Sequence, residues 1–185
     1  MVRFNLPALL LPLLAVLPGP AVAQTSAYTS LVLAACSERP RNPREELPLL
    51  VWDCPGYGGI PVLVSESDGR VSVAYGVGGQ PEIGGGQTLP EFNTIGDTLE
   101  WRLDAAGAPY ATILRYQTQP GDGGPTGEVL VVTRLGDTVC HITYIDALAN
   151  ANANELARQA ADLFARSFDC NANTAVWVGQ GAPWR

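Results

Sequence analysis

"IPVLVSESDGRVSVAYGV", residues 60 to 77, carries the clearest structural signal in this chain. Asp68-Gly69 at its centre is a pair favoured in two-residue type I′ turns, where both positions need positive φ. Turning there sets Ile60 opposite Val77, Val62 opposite Tyr75 and Val64 opposite Val73, so one face is apolar throughout. The other face sets Leu63 opposite Ala74 and Ser65 opposite Ser72. A one-residue slip would exchange the two faces, so the register of this hairpin is well specified.

Two further hairpins follow. Leu99, Trp101 and Leu103 alternate with Glu100, Arg102 and Asp104, the pattern of a strand with one face buried. The chain turns over 105–109 and returns from Tyr110 to Tyr116. Glu128 to Ile145 then folds back around Gly136-Asp137, a type II′ turn with glycine first. That turn predicts Thr133 opposite Cys140, Val131 opposite Ile142, and Val129 opposite Tyr144. After it, Asn152 and Glu155 have the spacing of a capping box. Leu156, Ala157, Ala160, Leu163, Phe164 and Phe168 recur at helical spacing and form the expected core side. Arg158, Gln159, Asp162 and Arg166 are expected on the outer side. Thr174 to Val178 reads as an edge strand ahead of a tail. The expected fold is α+β: an antiparallel meander of about six to seven strands with one C-terminal helix packed on one face. Residues 24–170 form one disulfide-bridged, β-rich domain in this reading, and 171–185 an edge strand or tail.

The N-terminus has the form of an export leader. Arg3 is followed by an apolar run from Phe4 to Leu17, and Ala21-Val22-Ala23 offers a signal-peptidase site. Residues 1–23 are read as a signal peptide, and the mature chain as periplasmic or secreted. The run is shorter than the roughly 20 apolar residues of a bilayer crossing, and no later segment qualifies as a membrane span. Leu33-Ala34-Ala35-Cys36 has the form of a lipobox. It lies beyond the polar stretch from Gln24 to Ser30 rather than directly after the apolar run, which argues against lipidation at Cys36.

The whole chain has a formal net charge of −7, with 18 acidic residues against 11 basic ones. Every basic residue is arginine, and Arg3 leaves with the leader. Such a balance argues against nucleic acid and anionic membrane surfaces, whose binding requires clustered cations. The four cysteines, Cys36, Cys54, Cys140 and Cys170, suit an oxidising compartment. Three pairings are open, and local loop closure favours Cys36 with Cys54 and Cys140 with Cys170. Their spacing matches neither a Cys-x-x-Cys redox motif nor the close ligand pairs of a zinc site, so no metal or cofactor is expected. His141, the one histidine, follows Cys140 directly. On a strand these neighbours point to opposite faces, which opposes a Cys–His dyad.

The segments "YTSLVLAAC" (28–36), "VWDCPGYGGIPVLV" (51–64) and "NANELARQAADLFARSFDC" (152–170) together resemble a group of small exported alphaproteobacterial proteins of uncharacterised function. They cover about a quarter of the mature chain, and the Trp-x-Cys-Pro-Gly-Tyr block is their specific part. The resemblance implies a cysteine-bridged envelope domain and carries no catalytic residue.

Function is read accordingly. The first expectation is a non-enzymatic envelope module that binds a protein or a glycan, with Tyr57, Trp177 and Trp184 as contact aromatics. Tyr57 is alternatively packing on Trp52. The general form also resembles periplasmic lysozyme inhibitors, without a supporting motif. The second expectation is a periplasmic hydrolase using surface carboxylates, with Glu82 and Glu91 as the pair. Glu82 lies within, and Glu91 just after, the segment from Gly76 to Gln87, which holds six glycines, lacks the Gly-Lys-Ser/Thr of a phosphate loop and reads as a mobile loop.

Overall fold

The computed structural model describes residues 24–41, 49–79, 81–82 and 86–181. The leader and Trp184 lie outside them. The described strands form two sheets rather than one meander. The first has six strands in the order β1 (Thr25–Ser30), β6 (Phe92–Leu103), β7 (Pro109–Gln119), β8 (Gly127–Arg134), β9 (Cys140–Asp146) and β10 (Val176–Trp177). The second has four: β2 (Ser37–Glu38), β3 (Leu50–Pro55), β4 (Pro61–Ser67) and β5 (Arg70–Tyr75). The expected edge strand at 174–178 shortens to β10 and runs parallel to β9, so the larger sheet is mixed. The helix α1 (Ala153–Phe164) covers the outer face of that sheet.

The first hairpin has its expected register, with Val62 opposite Tyr75 and Val64 opposite Val73, around a turn in which Asp68 and Gly69 both have positive φ. The apolar face of β4 and β5 meets Leu99, Trp101, Leu103, Leu114, Tyr116, Val129 and Val131 of the larger sheet, making a sandwich core. Trp101 lies at its centre, fully buried. Its indole N–H donates to Thr29 Oγ1 at 2.9 Å, and Tyr75 meets its ring edge-on. Gly56 lies against that ring: a Cβ there would collide with the Ile60 carbonyl and stand 2.9 Å from the indole.

The third hairpin departs from the expected register. Val131 faces Tyr144, Val129 faces Asp146 and Thr133 faces His141. The expected type II′ turn is not formed: Gly136 lacks positive φ, and the connection spans 135–139, so Arg134 faces Cys140 where Thr133 was expected. Ile142 is then an extra residue on β9, a bulge that the turn chemistry does not announce. It leaves Cys140 on the helix side, where Cys140 bonds to Cys170 with Cα atoms 5.9 Å apart. Cys36 bonds to Cys54 at a Cα separation of 4.7 Å. Both expected pairings are therefore formed, and no described cysteine is free. With its sulfur in a disulfide, Cys36 is closed to thioether lipidation.

The helix buries Ala157 and Ala160 and packs Leu156 as expected, with Phe168 just beyond it, but it is rotated enough to change the rest of its core side. Its buried residues are Ala153, Ala157, Ala160 and Ala161, while Leu163 and Phe164 are exposed. Arg158 and Asp162 face the sheet, where they pair with Glu100 and Arg102. The polar face of β6 is thus covered, not solvated. Small alanines let the helix approach closely enough for those pairs to close. Asn152 occupies the N-cap but makes no side-chain capping bond; its carbonyl accepts from Glu155 N and Leu156 N.

The segment after the Gly-rich stretch covers the free edge of β5, which the mobile-loop reading did not foresee. Val73 bridges to Gln87, Thr88 Oγ1 donates to the Val71 carbonyl, and Val71 N donates to Asn93 Oδ1. An unpaired edge is open to association with other chains, and this cover closes it. Gly86 permits the approach, since a Cβ there would stand 2.6 Å from the Val73 backbone.

Candidate functional site

The β4–β5 turn and the β7–β8 connection lie at one end of the sandwich, with Phe92 between them. A Cβ on Gly69 would stand 3.0 Å from the Phe92 ring, and one on Gly121 would stand 3.5 Å from it. These two glycine backbones hold the ring and leave it 46% exposed. Around it opens a cleft of ≈540 Å³ whose walls include Thr94, Gln117, Gln119 and Thr126. No charged side chain lines this cleft, although the chain is strongly acidic. Thr94 Oγ1 donates to Gln117 Oε1 at 3.3 Å, and Gln119 is exposed. Asn93 beneath them is already engaged: its Oδ1 accepts from Val71 N at 3.0 Å and its Nδ2 donates to the Glu91 carbonyl at 2.7 Å. It anchors the cleft floor.

The cleft continues across Gly69, Asn93 and Thr94 into a second pocket of ≈400 Å³. Leu31, Val71, Trp52 and Ile95 supply its apolar surface, and Glu66 and Asp97 lie among its lining residues. A bulge shapes this end. From Ile95 to Leu99 β6 advances four residues while its partner β7 advances two, from Tyr116 to Leu114. Gly96, Asp97 and Thr98 fall within the bulged stretch. Bulges of this kind redirect strands and side chains beside binding sites.

The densest charged cluster lies elsewhere, beneath α1. Arg102 donates to both oxygens of Asp162 at 2.9 and 2.7 Å, and Tyr110 O–H donates to the same carboxylate at 2.5 Å. Glu100 accepts from Ser26 Oγ at 2.5 Å and from Arg158 Nε at 2.7 Å. Arg102 also donates to Ser26 Oγ at 2.6 Å, which joins the two halves. Each carboxylate is held by a guanidinium and a hydroxyl. The cluster latches β1, β6, β7 and α1 together.

His141 is buried within the sandwich, with Nδ1 3.2 Å from the Tyr144 hydroxyl. Its backbone N–H donates to Gln87 Oε1 at 2.5 Å. Burial lowers the imidazole pKa to about 4. In the unfolded chain the ring takes a proton near pH ~6.5. Below that pH the unfolded state binds more protons, so stability drains away as pH falls toward 4. Urea unfolding of the oxidised protein at about pH 7.5 and about pH 4.5 should show roughly 2–3 kcal/mol lost from this group. His141→Phe should remove that part of the loss; an unaltered pH slope in the variant would contradict the assignment.

The residues expected as contacts are placed differently from the cleft. Tyr57 packs on Trp101, not Trp52, with ring centroids 6.3 Å apart, and is partly buried. Trp177 is partly buried against Tyr144 at 5.4 Å. Glu82 is exposed and Glu91 partly exposed. Phe92 was passed over because a single aromatic at a strand start carries no motif. Its signal was the outward series Phe92, Thr94, Gly96, an aromatic on an otherwise small and polar face. Among the described residues no group of three or more His, Cys, Asp or Glu could hold a metal ion, and no helix is long and apolar enough to cross a membrane. No protein-family model, curated protein or solved structure matches this chain.

Proposed function

We propose that this chain is an exported, non-enzymatic binding module of the cell envelope that takes a neutral glycan in the cleft over Phe92. The observation that carries this reading is the uncharged lining of that cleft around a half-exposed aromatic, in a protein of net charge −7. A pyranose ring offers an apolar C–H face and a rim of hydroxyls. The Phe92 ring suits the first, and the Gln117 and Gln119 amides with the Thr94 and Thr126 hydroxyls suit the second. The cleft volume lies within the range of small-ligand sites. Export to the periplasm or beyond, with cleavage after Ala23, is supported by the leader sequence and the two disulfides. Resemblance to the exported alphaproteobacterial group supports the same compartment.

Binding of a tetramer of N-acetylglucosamine, and retention on purified peptidoglycan sacculi, test the reading. Phe92→Ala should weaken tetramer binding at least about tenfold, or 1.4 kcal/mol. Its melting temperature should change little, because much of the ring is already in water. Equal binding by the variant and the parent protein would overturn the proposal.

A further inference from the structure

We propose that the pocket adjoining the Phe92 cleft is a subsite for a primary ammonium on a short alkyl arm, of the kind carried by the diamino-acid side chain of a cell-wall peptide. The identity of the polymer rests on the glycan reading above; recognition of the ammonium does not.

The chemistry of the pocket is specific. Leu31 and Val71 are buried, and with Trp52 and Ile95 they form a surface that methylenes can cover. Glu66 and Asp97 supply two carboxylates. Among the described residues neither is ion-paired, although arginines stand on neighbouring strands. Those arginines are taken: Arg39 holds Asp53 through two bonds of 2.7 and 2.6 Å, and Arg70 holds Asp68. The Glu66 side chain accepts one exposed backbone bond, from Gly69 N at 3.2 Å. Among the described residues the pocket therefore offers two carboxylates without an ion-pair partner, and an indole beside an apolar surface. An alkyl ammonium complements all three: its stem lies on the apolar surface and its charged end meets carboxylates and the ring of Trp52. A carboxylate or phosphate ligand would meet repulsion instead.

The two pockets share Gly69, Asn93 and Thr94. A glycan over Phe92 would thus place a peptide attached to it within reach of Glu66 and Asp97. One continuous groove would read both the sugar and the amine of a single cell-wall unit.

The test uses the oxidised exported protein and two separate probes. One is the synthetic tripeptide L-Ala–γ-D-Glu–L-Lys, with its Nε-acetyl form as control; the other is the N-acetylglucosamine tetramer. Titration followed by the Trp52 indole N–H resonance should show the tripeptide bound and the acetylated form at least about tenfold weaker. Glu66→Gln with Asp97→Asn should remove that discrimination without altering tetramer binding. Phe92→Ala should do the converse, losing the tetramer and keeping the tripeptide. Failure of the parent protein to bind the tetramer, with the tripeptide still bound, would overturn the glycan reading and leave the ammonium subsite standing. Equal binding of the acetylated and free tripeptides, retained discrimination in the double variant, or tripeptide affinity weaker than about 1 mM would overturn the subsite. A neutral apolar occupant would appear as preference for the acetylated form.

Discussion

Asp162→Ala should destabilise this protein by about 3–5 kcal/mol, because it leaves Arg102 charged and buried without its counter-charge, with the Ser26 hydroxyl as its remaining bond. Only 7% of the Arg102 side chain is exposed, and both of its links to Asp162 are charge-assisted bonds within 2.9 Å. Burial works against the Arg102 charge, yet the Asp162 carboxylate overrides it and holds the guanidinium pKa above its usual value. The variant also strips the Tyr110 hydroxyl of its acceptor. Each kcal/mol moves the melting temperature by about 2–4 °C in a chain of this size, so a fall of roughly 6–20 °C is expected by calorimetry. The control is Arg102→Met with Asp162→Leu. Replacing both charges by apolar groups of similar volume is often neutral, so the double variant should recover most of the loss. A single variant as stable as the parent would mean that the latch is ornamental.

Trp101→Ala should cost a similar amount, about 3–5 kcal/mol, by a different mechanism. The indole is completely buried, and it is the common contact of both sheets and of the turn carrying Tyr57. Removing it opens a cavity that neither sheet can collapse into, since Tyr75 and the backbone at Gly56 are held by their own strands. Trp101→Phe should cost less, keeping much of the volume while losing the bond to Thr29 Oγ1. Denaturant unfolding with unchanged m-values would report the two losses. A Trp101→Ala variant within about 1 kcal/mol of the parent would place the centre of the core elsewhere.

The first hairpin and the disulfide pairing were legible in the residues because both are set locally. Asp68-Gly69 can hardly turn otherwise, and a slipped register would put Val62, Val64, Val73 and Tyr75 in water. The register of the third hairpin was not legible. Gly136-Asp137 marks the region of the turn, but the loop is longer than two residues, so Arg134 instead of Thr133 faces Cys140, and the bulge at Ile142 shifts every later pair by one more. The helix face was misread for a related reason. Leu163 and Phe164 are more hydrophobic than Ala157 and Ala161, so periodicity alone turned the larger side chains inward. A pitch match would have corrected it. Glu100 and Arg102, two apart on a strand, are separated by about 6.6 Å, and Arg158 and Asp162, four apart on a helix, by about 6 Å. Opposite charges repeating at the same interval on two elements are candidates to face each other.

The candidate groove was the least visible of all. Phe92, Gly69 and Gly121 lie on three different segments, and so do Trp52, Glu66 and Asp97. Within β6 the outward series Phe92, Thr94, Gly96 was the one local signal, and the other segments carry none.

Strand positions, turn positions and covalent links followed from residue type at short range: φ preference at the turns, side-chain alternation along the strands, and an even set of sulfurs. The division into two sheets, the rotation of the helix and the groove over Phe92 did not. A strand alternates in the same way whether its apolar face meets a helix or a second sheet, and only the packed chain shows which partner satisfies the charges of Glu100 and Arg102 and which surface is left open to a ligand.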